Sequence, residues 1–204
     1  SMDKKEFLKI IKQRRVVRKF DRNKGVPKDA LDRMLEAAIW APLSIYHPQE
    51  WKFIVLEGQK RDNAVEIITQ DHTILKYIRF MYEQTSIGHG EKWKKMAEYF
   101  GHSLGDAPVL IVCLVRFDPH IHQFGHNLGA AWCASENLML QAETEGLNTG
   151  IISMASPRIQ HELIDLLEFN SDEWAVAYII NVGYGLKIPP PVEREKEGVI
   201  IFQN

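Results

Sequence analysis

The chain lacks most of the features that mark a specialised environment. Its 204 residues hold two cysteines, Cys113 and Cys133. That number excludes a disulfide framework and makes a reducing cytoplasm the expected setting. Cys113 falls in an apolar strand-like run and Cys133 in an apolar helix-like run, so both thiols are expected to be buried and inert. Charge of one sign is also missing. The net charge is −2, so no basic field addresses nucleic acid. No apolar run approaches the length of a membrane span, and no signal-peptide pattern opens the sequence. Neither Gly-x-Gly-x-x-Gly nor a P-loop is present, which removes the two familiar glycine-rich phosphate cradles. Internal repeats and interdomain linkers are absent as well.

What remains is enough for one domain over residues 2–204, with 45% hydrophobic residues and a core of ordinary size. Apolar spacing predicts a helix over 3–13, with Phe7, Ile10 and Ile11 on one face. A second helix should begin near Pro27, carry Leu31, Met34, Leu35, Ala38 and Ile39 as its stripe, and stop at Ala41-Pro42. Trp51–Leu56 reads as a strand. Residues 60–104 read as helices interrupted by Thr85–Gly90, a candidate mobile cover. Val109–Val115 is continuously apolar, which implies a strand covered on both faces. A long helix is expected over 125–145, with Gly146-Leu147 as its stop. Ile151-Ile152 follows as a short strand. Ser156-Pro157 is a strong helix start, an N-cap with proline at the first helical position. Trp174–Val182 and Val199–Phe202 complete the strand candidates. The elements intermix without regular βαβ alternation, so the fold class is α+β.

Two motifs carry chemistry. Arg14, Arg15 and Arg18 cluster in Arg14-Arg15-Val16-Val17-Arg18-Lys19-Phe20. Guanidinium groups match phosphate oxygens and stay charged at any working pH. The plainer reading is a set of arginines favouring the dipole of the preceding helix end. The second motif, Ala41-Pro42-Leu43-Ser44-Ile45-Tyr46-His47-Pro48-Gln49-Glu50-Trp51, runs from a helix through a loop into a strand. Asp118, His120, His122 and His126 hold metal-ligand types, but at a strand-to-helix turn such histidines cap or face solvent, and no metal site is expected.

Taken in order, these motifs resemble the amino-terminal signature of the nitroreductase family. The likeness continues in Gly105-Asp106-Ala107-Pro108, in Asn137-Leu138-Met139-Leu140-Gln141-Ala142 with its Gly146–Gly150 exit, and in Val182-Gly183-Tyr184-Gly185 followed by prolines and Arg194. It implies a central mixed sheet flanked by helices, in an intertwined homodimer with FMN at the subunit interface. NAD(P)H would deliver hydride to flavin N5 and then give way to a flat acceptor such as a nitroaromatic or quinone. A nicotinamide would visit the site rather than occupy a Rossmann half.

The resemblance implies a role for each matched residue. Arg14 and Arg194 would bind the FMN phosphate. Arg18 would reach the ribityl chain or the N1/O2 edge. Arg15 and Val16 would give mainly backbone contacts. Pro42, Leu43 and Ser44 would line the ring from the other subunit, with Gln49 on its polar edges. Ile152, Ser153 and Met154 would approach N5. Tyr82 and Trp93, in the 60–104 insertion, would select the acceptor. No catalytic residue is expected beyond the flavin, because the cofactor carries the chemistry. Three positions depart from the family: Val16 replaces a serine, Leu43 stands in the Pro-Ser-Ser stretch, and Tyr46-His47-Pro48 carries an extra residue. On the same residues a second reading stays open, a non-catalytic FMN-binding carrier or sensor.

Overall fold

Val109–Arg116 organises the molecule, because every one of its residues but the last is buried. The computed structural model describes residues 4–43, 49–70, 75–76, 80, 91–153, 156–194 and 198–201; for 91–94, 96 and 97 it describes the backbone. Among these residues there are six helices and four strands. In chain order they are α1 (Lys4–Gln13), α2 (Lys28–Ile39), β1 (Trp51–Leu56), α3 (Gly58–Thr69), α4 (Glu91–Ser103), β2 (Val109–Arg116), α5 (Ile121–Thr144), β3 (Asn148–Ile152), α6 (Pro157–Leu166) and β4 (Trp174–Gly183). The sheet order is β1-β2-β4-β3, and every neighbouring pair is antiparallel. A parallel contribution comes from a single bridge, Val16 to Thr149.

Alternation along β2 divides the core in two. Leu110, Val112 and Leu114 face a cluster built with α3 and α6. Val109, Ile111, Cys113 and Val115 face a second cluster built with α2 and α5. Burying each such aliphatic side chain contributes about 1.5–3 kcal/mol, so this strand alone anchors both layers. The continuous apolarity of 109–115 has its expected consequence. At Ser156 the side chain accepts the Ile159 N–H, as its place before Pro157 implies.

Several elements differ from the sequence reading. Helix α5 begins at Ile121, a turn earlier than expected, because the Asp118 carboxylate accepts the His120 N–H at 2.8 Å and turns the chain into the helix there. Cys113 is buried as expected, and desolvation pushes its thiol up to about 12, but Cys133 is exposed. Its position shares the outward ridge of α5 with Gly125 and Gly129, and apolarity nearly all round that helix hid the ridge. Ile39 is likewise exposed rather than part of the α2 stripe. Val199, Ile200 and Ile201 form no strand within this chain and are 71–75% exposed. The apolar face of α1 exists, yet no residue of that helix is buried.

One charged contact fixes the long helix to its neighbour. Arg33 on α2 forks Glu145, the C-cap of α5, with both hydrogen bonds at 2.7 Å. That fork holds the Glu145 carboxyl down to about 2, from an ordinary 4.5. The folded-state value is depressed, so the contribution is present above pH 4.5 and lost as pH falls toward 2. Glu145→Gln is therefore expected to lower the melting temperature at pH 7 and to match the parent near pH 2. A gap that stays constant across that window would contradict the assignment.

Candidate functional site

The arginine motif is seated by backbone. After α1 ends, Arg15 Nη1 donates to the carbonyls of Lys12 (2.6 Å) and Arg14 (2.8 Å). It thus satisfies acceptors that the helix terminus leaves open. Arg15 is the capping arginine of the plainer reading, and its neighbours are released for other work. The chain then runs extended. Val17 N–H donates to Thr149 O at 2.8 Å, Phe20 N–H to Gly105 O at 2.8 Å, and Asp21 N–H to Tyr184 O at 2.9 Å. Val17 and Phe20 are buried.

Two glycines make that path passable. A Cβ on Gly150 would lie 2.3 Å from Val17 O, and one on Gly105 would lie 2.5 Å from Arg18 O. Gly105 also sits at φ +77, between Leu104 at +53 and Asp106 at +58. Three successive left-handed residues are costly, on the order of 1–2 kcal/mol for each that is not glycine. The surroundings compensate. Buried Arg61 donates to Ala107 O (2.9 Å) and Ser103 O (3.2 Å), Asn181 Nδ2 donates to Leu104 O, and Tyr99 Oη donates to the Asp106 carboxylate. This left-handed turn is the wall against which the arginine segment rests.

On that seat Arg14 and Arg18 differ. Arg14 Nε donates to Glu136 Oε1 on α5 at 3.2 Å. Arg18 is half-buried, and desolvation lowers its pKa from the usual guanidinium value. Among the described residues it has neither a hydrogen-bond nor an ion-pair partner. Glu143, two turns along α5 from Glu136, is shifted upward by burial, against the opposing pull of the Arg15 backbone N–H and the Arg14 charge.

The expected site residues fall into groups. Arg14, Arg15, Val16 and Arg18 form the seated segment, and the Val16–Thr149 bridge sets it beside β3, whose far end carries Ile152. Ile152 is buried and Ser153, just beyond it, is exposed. Pro42 and Leu43 lie elsewhere. They line a groove of about 610 Å³ against the first half of α5, with Glu50, His126, Gly129 and Cys133. None of the arginines lines that groove. Exposed Gln49 does not line it either; its neighbour Glu50 does. Arg194 is exposed on the segment leaving β4, which is tied to the motif where Leu186 N–H donates to Lys19 O at 2.9 Å. Ser44, Met154 and Tyr82 lie outside the described residues, as does the Thr85–Gly90 joint; Trp93 is placed by its backbone on α4. At the 118–126 histidines, Asp118 pairs with His120 Nδ1 at 3.0 Å. No group of three or more His, Cys, Asp or Glu that could hold a metal is gathered among the described residues. Glu50 and Glu136 went unremarked in the sequence, and His126 was weighed there only as a metal-ligand type. The lining residues of α5 could have been found from its small-residue spacing, Gly125, Gly129, Cys133, on the same side as the Pro42 loop.

The model of the nitroreductase family matches residues 11–184, which takes in the arginine motif, the Pro42 loop, the whole sheet and α5. The chain belongs to the nitroreductase family. No curated protein matches it. Among solved structures it is similar to a nitroreductase-like family protein of Bacillus cereus, at 22% identity and TM-score 0.72, with all of both chains covered. A nitroreductase with bound FMN from Desulfitobacterium hafniense is similar at 22% identity and TM-score 0.70, again over both whole chains. A putative NADH oxidase of Clostridium acetobutylicum follows at 24% identity and TM-score 0.66, covering 96% of this chain and 99% of the other. At these identities the likeness concerns the nitroreductase fold, and that fold here is the α+β arrangement described above. No described helix is long and apolar enough to cross a membrane.

Proposed function

We propose that this protein is an FMN-dependent oxidoreductase working as a homodimer in the cytoplasm. The observation that carries the reading is Arg18, a desolvated guanidinium with no counter-ion among the described residues, on a backbone that two glycines hold against the sheet. A half-buried charge gains from a partner, and an anionic ligand edge would supply one. The residues fit FMN. Arg14 and Arg194 would hold the phosphate, Arg18 the ribityl chain or the N1/O2 edge, and Arg15 and Val16 would serve through their backbone. Ile152, Ser153 and Met154 would line the N5 side. Pro42, Leu43 and Ser44 would meet the ring of the other subunit's FMN, with Gln49 nearby, which accounts for a groove with no arginine among its described lining residues. Bound FMN would accept hydride from NAD(P)H and pass it to a flat acceptor, such as a nitroaromatic or quinone, in the vacated cavity. The protein's part is placement and charge: a cation at the ring edge favours negative charge there. Tyr82 and Trp93 are the proposed acceptor-selecting residues, and the 60–104 segment the proposed cover.

The dimer reading is supported by uncovered apolar surface. Phe7, Leu8 and Ile11 of α1, Trp40 at 79% exposure, Trp132 of α5 and the Val199–Ile201 segment all face outward. Apolar surface of this extent on one chain is what a partner subunit would cover. A sedimentation mass of twice 23.5 kDa is expected.

The test is the visible spectrum of the purified protein, then release and identification of its flavin, then NAD(P)H oxidation with a quinone or nitroaromatic. Flavin bands, stoichiometric FMN and turnover are expected. Failure to bind added FMN overturns the proposal. Reduction of bound FMN without turnover on any acceptor would favour a carrier or sensor.

A further inference from the structure

We infer that Glu136 is a positioning residue for the phosphate end of the cofactor site, an inference that rests on the FMN reading above. A guanidinium has two flat edges that match paired oxygens, one through Nε and a terminal nitrogen, the other through both terminal nitrogens. Arg14 uses Nε alone, donating to Glu136 Oε1 at 3.2 Å. Its terminal nitrogens donate to no described residue, so the edge suited to two phosphate oxygens stays open. Glu136 holds the Arg14 side chain at its inner end and aims the outer edge.

The anchor is stiff. The residue before it, Ser135, is fully buried, and its Oγ lies 2.6 Å from Tyr178 Oη on β4. This turn of α5 is therefore tied to the sheet. Seven residues further along the helix, and on the same face, Glu143 lies near enough to the arginine segment for the Arg15 backbone N–H and the Arg14 charge to oppose the upward shift that burial gives its carboxyl. Helix α5 thus holds the arginine segment through the Glu136 side chain and sets a second carboxylate, Glu143, beside it. A long arginine side chain left free would lose rotamer freedom on binding, and one held at Nε has already lost most of it. The carboxylate also repels a phosphate. With its side chain 43% exposed, that repulsion is screened by water and salt, and orientation outweighs it.

The test titrates cofactor-free protein with FMN and, separately, with riboflavin, which has no phosphate, following quenching of flavin fluorescence. Glu136→Ala is expected to weaken FMN binding about ten-fold and to leave riboflavin binding unchanged. Glu136→Gln keeps an oxygen that accepts from Nε and is expected to stay within about three-fold of the parent for both flavins. Equal or tighter FMN binding by Glu136→Ala overturns the inference, since Glu136 would then compete with phosphate for Arg14. An equal loss for both flavins in Glu136→Ala also overturns it, because the role would be purely structural. A parent protein that binds neither flavin overturns the FMN reading itself and this inference with it.

Discussion

Gly150→Ala is expected to destabilise the protein by about 3 kcal/mol, near the upper range for overpacking. It should lower the melting temperature by roughly 6–12 °C in a chain of this size. The added methyl would sit 2.3 Å from Val17 O, which is backbone and cannot swing aside. Val17 is pinned by its own N–H to Thr149 O at 2.8 Å. Retreat is blocked on the other side, where Gly105 already touches the Arg18 carbonyl. The segment must leave its seat or the sheet must open, and either moves Arg14 and Arg18. Flavin affinity should fall even under conditions where the fold survives. Gly129→Ala is the control. It lies on α5 with nothing within 4 Å of the new Cβ, and alanine is the better helix former by about 1 kcal/mol. Thermal melts of the two variants side by side decide the matter. A Gly150→Ala protein as stable as its parent would show that the seat is looser than these distances state.

The second large effect concerns the ligand rather than the fold. Arg14→Ala combined with Arg194→Ala is expected to empty the proposed phosphate site. Hydrogen bonds to charged groups are worth about 1.5–3 kcal/mol each. Losing two should raise the FMN dissociation constant on the order of a hundred- to ten-thousand-fold. Folding should persist, because neither side chain belongs to the core. Arg14 makes one partly exposed ion pair with Glu136, and such a pair is worth about 0–1 kcal/mol. Arg194 is exposed. The flavin content of the purified double variant is the measurement, with circular dichroism to verify the fold. Stoichiometric FMN retained by a folded double variant would refute the phosphate assignment.

Much of the fold was legible because its signals are local. The unbroken apolarity of 109–115 could serve only a strand covered on both faces, and Ser156-Pro157 could hardly begin anything but a helix. Long-range placement was less legible. Nothing in Leu104 or Asp106 announces left-handed backbone; that geometry is imposed by Arg61, Asn181 and Tyr99 from three other elements. The outward ridge of α5 was obscured because small and apolar residues occur on all its sides, which left Cys133 misplaced. For the site, the arginine motif and Pro42 loop were visible as motifs. Glu136, which meets Arg14 across 122 residues of sequence, was not. Glu50, presented to the groove by the turn into β1, carried no signal of its own in the sequence.

The three strips that seat the arginine segment come from distant parts of the chain: the turn before β2, strand β3, and the stretch after β4. This gives the molecule a temporal order. Closing such long loops is entropically slow and is rewarded only when the sheet is already in place. The arginines are therefore expected to reach their final geometry after the central strands have paired. Flavin added to a refolding chain should leave the rate of sheet formation unchanged and act only on the last step, when Arg14–Phe20 docks. A flavin bound there would report that folding has finished and would not direct it.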